Sequence, residues 1–166
     1  MDKRYIDRLV KLNACDEAFE WAKKQATPAE AWAACENGSW MLWLCGKYAG
    51  EPWSKGRKPL VLAACECARL SLVHVPAGEK RSLVAIETAE KWARGKATRK
   101  EVKTAAYAAA DAAAAAHAAA DAYAAYAAYA AYAAAAADAK KNNQMTTANI
   151  CREILTKEVL KKYKSY

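Results

Sequence analysis

Between residues 105 and 139 the chain reads AAYAAADAAAAAHAAADAYAAYAAYAAYAAAAADA, with alanine at 26 of 35 positions. Alanine loses no side-chain entropy in a helix and has the best intrinsic propensity for it, so this stretch is helical despite its low complexity. Thr98-Arg99-Lys100-Glu101 supplies a capping box in front of it. A helix running unbroken over 99–141 spans roughly 65 Å at 1.5 Å per residue, more than the width of one domain of this size. It therefore protrudes, kinks, or is covered by a second copy of the chain. Alanine faces bury little area each but let backbones approach closely, and a homo-oligomer through this helix is the expected assembly.

The same segment has no lysine or arginine, which raises the possibility of a membrane span. Asp111, Asp121, Asp138, His117 and five tyrosines argue against it, since each acid at mid-bilayer costs about 2.5–3.5 kcal/mol. Tyr123, Tyr126, Tyr129 and Tyr132 recur every three residues, so their stripe winds about 60° per step around the helix. Such a stripe packs on several neighbouring helices, or on a partner crossing at an angle. His117 and Asp121 stand four apart and could form an oriented base, but no serine or cysteine nucleophile accompanies them, and a surface hydrogen-bonded pair is the simpler reading. Phosphate-binding glycine loops, zinc-binding helices and serine elbows are absent from the sequence. Two histidines in the whole chain supply a metal poorly. No catalytic residue, metal or cofactor is expected, and the chain reads as a non-enzyme.

The remainder is helix after helix, giving an all-α bundle of about six to seven helices in a single domain over 1–166. Its parts are a helical core at 1–98, the long Ala/Tyr-rich helix at 99–141, and a basic C-terminal helix at 146–166. At 166 residues and 55% apolar content the chain can bury one real core. A first helix is expected over 3–24. Thr27-Pro28-Ala29-Glu30 then provides an N-cap, a proline at the first helical position and a capping-box glutamate. That second helix is expected to end at Asn37-Gly38, with glycine at the left-handed C′ position and Ser39 capping the next helix. SWMLWLCG, Ser39 to Gly46, has no charged residue and reads as a buried turn of helix. PLVLAACECARLSLVH, about 59–74, carries only Glu66 and Arg69 as charges and should be central, with His74 at its C-terminal end. The helix from Glu79 to Arg94 sets Ala85, Ile86, Ala89, Trp92 and Ala93 on one side and Glu87, Glu90, Lys91 and Arg94 on a solvated other side. Gly95 ends it.

The amino terminus has no apolar run of signal-peptide length, and a cytoplasmic protein is expected. The six cysteines lie singly within helical patterns and read as small reduced core residues. Cys65 and Cys67 point to opposite sides of their helix and cannot jointly grip a metal.

Formal charge is +8, with the basic excess in 51–104 and 140–166. Such a field favours anionic partners. The loop GKYAGEPWSKGRKP, 46–59, combines cations with flat aromatic faces, the components that hold a phosphate and stack a ring. Tyr48, Trp53, Lys55, Arg57 and Lys58 are the candidate ligand-binding residues there. Trp40 and Trp43 could form a rigid wall beneath that loop acting as a mobile lid, and Arg69 could reach the same cavity or pair with Glu66. The blander reading is that Trp53 pins the loop to the core while the lysines face water.

The segments NACDEAFEW (Asn13 to Trp21), SWMLWLCG, LVLAACECARLSL and AIETAEKWARGKAT, followed by an alanine-rich helix, resemble the helical immunity protein family of polymorphic toxin systems, which also occurs in phages. The resemblance runs from about residue 10 to 140, and the last 25 residues add nothing to it. It implies a non-enzymatic all-α protein that neutralises something, and it supplies no binding residue. Two functions follow. One is sequestration of a phosphate-bearing, nucleotide-derived small-molecule signal in counter-defence, which suits the charge and the aromatic loop. The alternative is a stoichiometric immunity protein that inhibits a toxin protein by direct binding. Nucleic acid is the disfavoured partner, because no recognised motif supports it and the acids of the long helix repel a phosphate backbone.

Overall fold

The computed structural model describes the backbone of residues 3–70, 72–123 and 129–164, and side chains within these except at 74, 112–139 and 163–164. The chain is all-α. Eight α-helices and no strand occur among the described residues: α1 (Lys3–Lys11), α2 (Asp16–Lys23), α3 (Pro28–Ala34), α4 (Gly38–Tyr48), α5 (Lys58–Arg69), α6 (Arg81–Ala93), α7 (Arg99–Tyr123) and α8 (Tyr129–Lys164). Short 3-10 turns at Lys55–Arg57 and Leu72–His74 flank α5. No helix among the described residues is long and apolar enough to cross a membrane.

The organising element is the C-terminal half of α8, which packs on α3, α4 and α5. Thr147, Ala148, Cys151, Leu155 and Val159 are buried at helical spacing, and Ala148 and Cys151 are 0% exposed. The last four join Trp32, Cys35, Met41, Cys45 and Ala63 in one core cluster. The crossing with α4 is close because the residue there is glycine. A Cβ on Gly38 would lie 2.3 Å from Thr147 Cγ2 and 2.8 Å from the Ala148 nitrogen. Ser39 and Gln144 seal the same crossing: the Ser39 backbone N–H donates to Gln144 Oε1 at 2.9 Å, and Gln144 Nε2 donates to Ser39 Oγ at 2.9 Å.

α8 also finishes α3. A seven-residue helix leaves most of its terminal carbonyls without intrahelical partners. Arg152 Nη1 donates to the carbonyls of Cys35 at 2.7 Å and Ala33 at 3.2 Å, and Trp32 Nε1 donates to Thr156 Oγ1 at 2.9 Å. A second cluster, Tyr5, Leu9, Ala22, Ala31 and Leu44, joins α1 to α4. α6 packs on α5 and, as an antiparallel hairpin, on α7.

Several boundaries differ from the sequence reading for identifiable reasons. The helix expected over 3–24 breaks in two, because Asn13 adopts a left-handed φ of 57°. The Asn13 N–H bonds to Val10 O and the Ala14 N–H to Leu9 O, which is the Schellman closure. Gly38 is not a C′ residue but lies inside α4, capped by Asn37 Oδ1 accepting from the Trp40 N–H at 3.2 Å. α4 continues past Gly46 to Tyr48, and α5 stops at Arg69. The C-terminal helix expected at 146–166 is the continuation of α8, with no start of its own. The capping box at Thr98–Glu101 is complete, with Thr98 N–H donating to Glu101 Oε2 at 2.7 Å and Glu101 N–H to Thr98 Oγ1 at 3.3 Å, whereas at Thr27 only the N-cap half forms, Glu30 N–H donating to Thr27 Oγ1 at 3.1 Å. Gly95 ends α6 at φ +79°.

The continuity of the helix expected over 99–141 depends on 124–128, which lie outside the described residues. So do the side chains of Tyr123, Tyr126, Tyr129, Tyr132, His117, Asp121 and His74. Cys35, Cys45, Cys65 and Cys151 are buried as expected, whereas Cys67 is half-buried and Cys15 is exposed.

Candidate binding site

The loop after α4 is folded back on the helix end and cross-tied rather than loose. Gly50 takes a φ of +78° and Trp53 one of +66°, a conformation costly for a bulky residue. The Ser54 backbone N–H bonds to Glu51 O, and Ser54 Oγ donates to Ala49 O at 3.1 Å. Arg57 holds the loop to α4: its Nε donates to Gly50 O at 2.9 Å and its Nη2 to Gly46 O at 3.4 Å. A Cβ on Gly56 would come within 2.8 Å of Ala49 O, so the chain passes itself closely there. These ties fasten the loop to the end of α4.

Trp40 and Trp43 lie on the side of α4 that meets α1, α2 and α3. Trp40 packs on Trp21 with ring centroids 6.0 Å apart, and Lys47 Nζ stands 5.4 Å from the centroid of Trp43. Both indoles line an apolar cavity of about 50 Å³ with Tyr5, Leu9 and Trp32. Small-molecule pockets run about 300–1,000 Å³, so this space cannot take a nucleotide. Arg69 is at the far end of α5 from the loop, roughly 16 Å along the helix. It pairs not with Glu66 but with Glu90 of α6, at 3.1 Å through Nε and 2.7 Å through Nη2.

The loop separates two grooves. On the side of α6 and α7, a groove of about 310 Å³ is lined by Pro52, Trp53, Arg57, Val61, Trp92 and Val102. Trp53 meets Trp92 edge to face at 5.1 Å, with the Arg99 guanidinium 5.9 Å from its ring centroid. On the side of α8, a groove of about 620 Å³ lies between Tyr48, Gly50, Glu51 and Ser54 on one wall and Leu155, Glu158, Val159, Lys161 and Lys162 on the other, with Pro59 and Leu60 between. The Arg8 guanidinium stands 5.0 Å from the centroid of Tyr48. Lys55 is exposed on the turn, and Lys58 begins α5 half-buried. The eight candidate residues thus divide: Tyr48 lines the large groove, Trp53 and Arg57 the smaller one, Trp40 and Trp43 the small apolar cavity, and Lys55, Lys58 and Arg69 join none of them.

The larger groove has the volume for a nucleotide-sized molecule, with Lys161, Lys162 and Glu158 at the α8 wall and Tyr48 at the loop wall. Its own nucleophiles are quiet. Burial pushes the Cys45 thiol up to about 12, and the Ser54 hydroxyl is spent on Ala49 O. Lys161 and Lys162 were not singled out by sequence reasoning; the one signal for them was the basic excess of the C-terminal segment. Among the described residues no three His, Cys, Asp or Glu side chains are grouped to hold a metal ion. No family model matches the chain, nor does any curated protein or solved structure.

Proposed function

We propose that the protein is a non-enzymatic binding protein that sequesters a phosphate-bearing, nucleotide-derived small molecule, in the manner of a phage or bacterial counter-defence or immunity-type factor. The observation that carries this reading is the groove of about 620 Å³ in which Tyr48 on one wall is opposed by Lys161 and Lys162 on the other. Its volume falls within the ordinary range for small ligands. Lysines beside an aromatic ring offer charge-assisted hydrogen bonds to phosphate and a face for a base. Glu51 on the loop wall and Glu158 on the lysine wall, one helical turn before Lys161 and Lys162, both oppose an anion, and the lysines must outweigh them. The protonated Cys45 and the engaged Ser54 favour capture over turnover.

Calorimetric titration with nucleotide-derived signals tests the proposal. A Lys161→Ala, Lys162→Ala double variant should bind at least tenfold more weakly, about 1.4 kcal/mol, and binding to the parent should weaken as salt rises. Unchanged affinity in the double variant places the ligand elsewhere.

The alternative, a stoichiometric immunity protein inhibiting a toxin protein, draws support from exposed apolar side chains outside the groove. Val73 is 81% exposed, Val84 of α6 is 49% exposed and Tyr107 of α7 is 71% exposed. Apolar anchors of this kind suit a protein partner, and the charge of +8 selects an acidic one. Copurification of such a partner, lost on Tyr107→Ser and retained in the lysine double variant, would favour this reading.

A further inference from the structure

The smaller groove is assembled from four parts of the chain. Pro52 and Trp53 come from the loop, Arg57 and Val61 from the turn into α5, Ala89 and Trp92 from one face of α6, and Val102 from α7. Two indoles make a corner in it, since the rings of Trp53 and Trp92 stand at 88° with centroids 5.1 Å apart. A flat ring placed in such a corner meets one indole face to face and the other edge to face, the two arrangements that aromatic quadrupoles favour. Trp53 takes its place there at a φ of +66°, which only glycine adopts without cost. Backbone strain of this kind is concentrated at binding and catalytic sites.

Charge selects what can fill the corner. Arg57 is the one charged residue of the described lining, and the carbonyls of Gly50 and Gly46 hold its Nε and Nη2, so the cation is fixed in place. A second guanidinium, that of Arg99, stands 5.9 Å from the centroid of Trp53, on α7 three residues before Val102 and so on the same face. Neither arginine has an ion pair among the described residues. The neighbouring carboxylates are engaged elsewhere: Glu90 between Arg69 and Arg94, Glu101 on Thr98, and Glu51 in the lining of the larger groove.

We propose that this groove is a second binding site, for a small molecule with one aromatic ring and a single carboxylate. The ring fills the corner between Trp53 and Trp92, and the carboxylate accepts guanidinium N–H groups from Arg57 and Arg99, whose planar donors match its two oxygens. The volume of about 310 Å³ lies at the lower end of ordinary ligand pockets, enough for one ring and a short chain. Apart from Arg57 the described lining side chains are apolar, so a polyanion finds no further donor side chain there, whereas one negative charge is answered by two arginines. The larger groove, with acids opposing its lysines, presents different chemistry, and the two sites stand or fall separately.

The test titrates the full chain with phenylacetate and with its neutral isostere phenylacetamide, following the indole N–H resonances of the six tryptophans, those of Trp53 and Trp92 assigned through Trp53→Phe and Trp92→Phe. Phenylacetate should shift these two signals saturably, with a Kd of about 1 mM or tighter, and the amide should bind at least tenfold more weakly. Arg99 is exposed at the start of α7, where an acidic residue suits the helix dipole, so Arg99→Glu should leave the circular dichroism unchanged. It should weaken phenylacetate at least tenfold, and the Lys161→Ala, Lys162→Ala double variant should not weaken it. Equal binding of acid and amide, no saturable shift of Trp53 and Trp92, unchanged affinity in Arg99→Glu, or an equal loss in the lysine double variant would each overturn the proposal.

Discussion

Glu90 is 7% exposed, and its charge there carries a desolvation cost that only its partners offset. Burial by itself would raise its pKa, but Arg69 on one oxygen and Arg94 on the other, at 3.2 Å, outweigh it and hold the carboxyl below the usual range. A carboxylate depressed in the folded state contributes stability that is fully present above the unfolded pKa, about 4.3, and is lost as the pH falls through the lower folded value. Glu90→Gln should therefore cost about 1–2 kcal/mol at pH 7, the low end because both arginines are partly solvated. Its urea midpoint should also fall less steeply than that of the parent between pH 5 and pH 3. Glycines give a second test at this scale. Gly38→Ala puts a methyl group into Thr147 and should cost roughly 2–3 kcal/mol. Gly46→Ala meets open space within the same helix and should gain up to about 1 kcal/mol. Neither the burial of Glu90 nor the role of Gly38 was legible in the sequence. The periodicity of α6 puts Glu90 among charged neighbours, and its second arginine comes from another helix. Asn37-Gly38 is the spelling of a helix end, and only the arrival of α8 explains glycine there.

α8 sets the architecture at the level of elements, although its C-terminal part carries no motif. Leu155→Ala should cost about 2–5 kcal/mol in urea unfolding, because Leu155 is 2% exposed between α3, α4 and α5. Ending the chain at residue 146 should leave no cooperative transition, since it removes Ala148, Cys151, Leu155 and Val159 together. The helix starts were readable wherever a local hydrogen bond makes them, as at Thr27–Glu30 and Thr98–Glu101. Breaks made by a single left-handed residue, such as Asn13, were not, since asparagine also tolerates helix interiors. The loop mixes both cases. Its glycines and prolines marked it, but no spacing rule shows that Arg57 would turn back onto Gly46 and Gly50. Arg57→Ala should accordingly lower the melting temperature by several degrees, whereas Lys55→Ala, on the exposed turn, should leave it unchanged.

For the whole molecule, the helical patterning foretold an all-α chain, and the charge suggested an anionic partner, but the candidate groove was legible only by halves. The loop was visible as an aromatic, basic segment. Its opposing wall lies a hundred residues later in a stretch whose lysines look like an ordinary solvated tail, and only the packing of α8 on α4 and α5 brings them together. Self-association belongs to this scale too: with alanine dominating 105–139, light scattering should report a homo-oligomer, and a strict monomer would remove the second copy from the account. The central claim is capture without turnover. Purified protein should be denatured, its small-molecule fraction recovered and examined by mass spectrometry, and the same fraction followed over time with added nucleotide-derived signals. An intact phosphate-bearing molecule should be released on denaturation, and binding should be tighter than about 10 μM, roughly −7 kcal/mol. A chemically altered product that accumulates, or no phosphate-bearing molecule bound below that concentration, would contradict that claim.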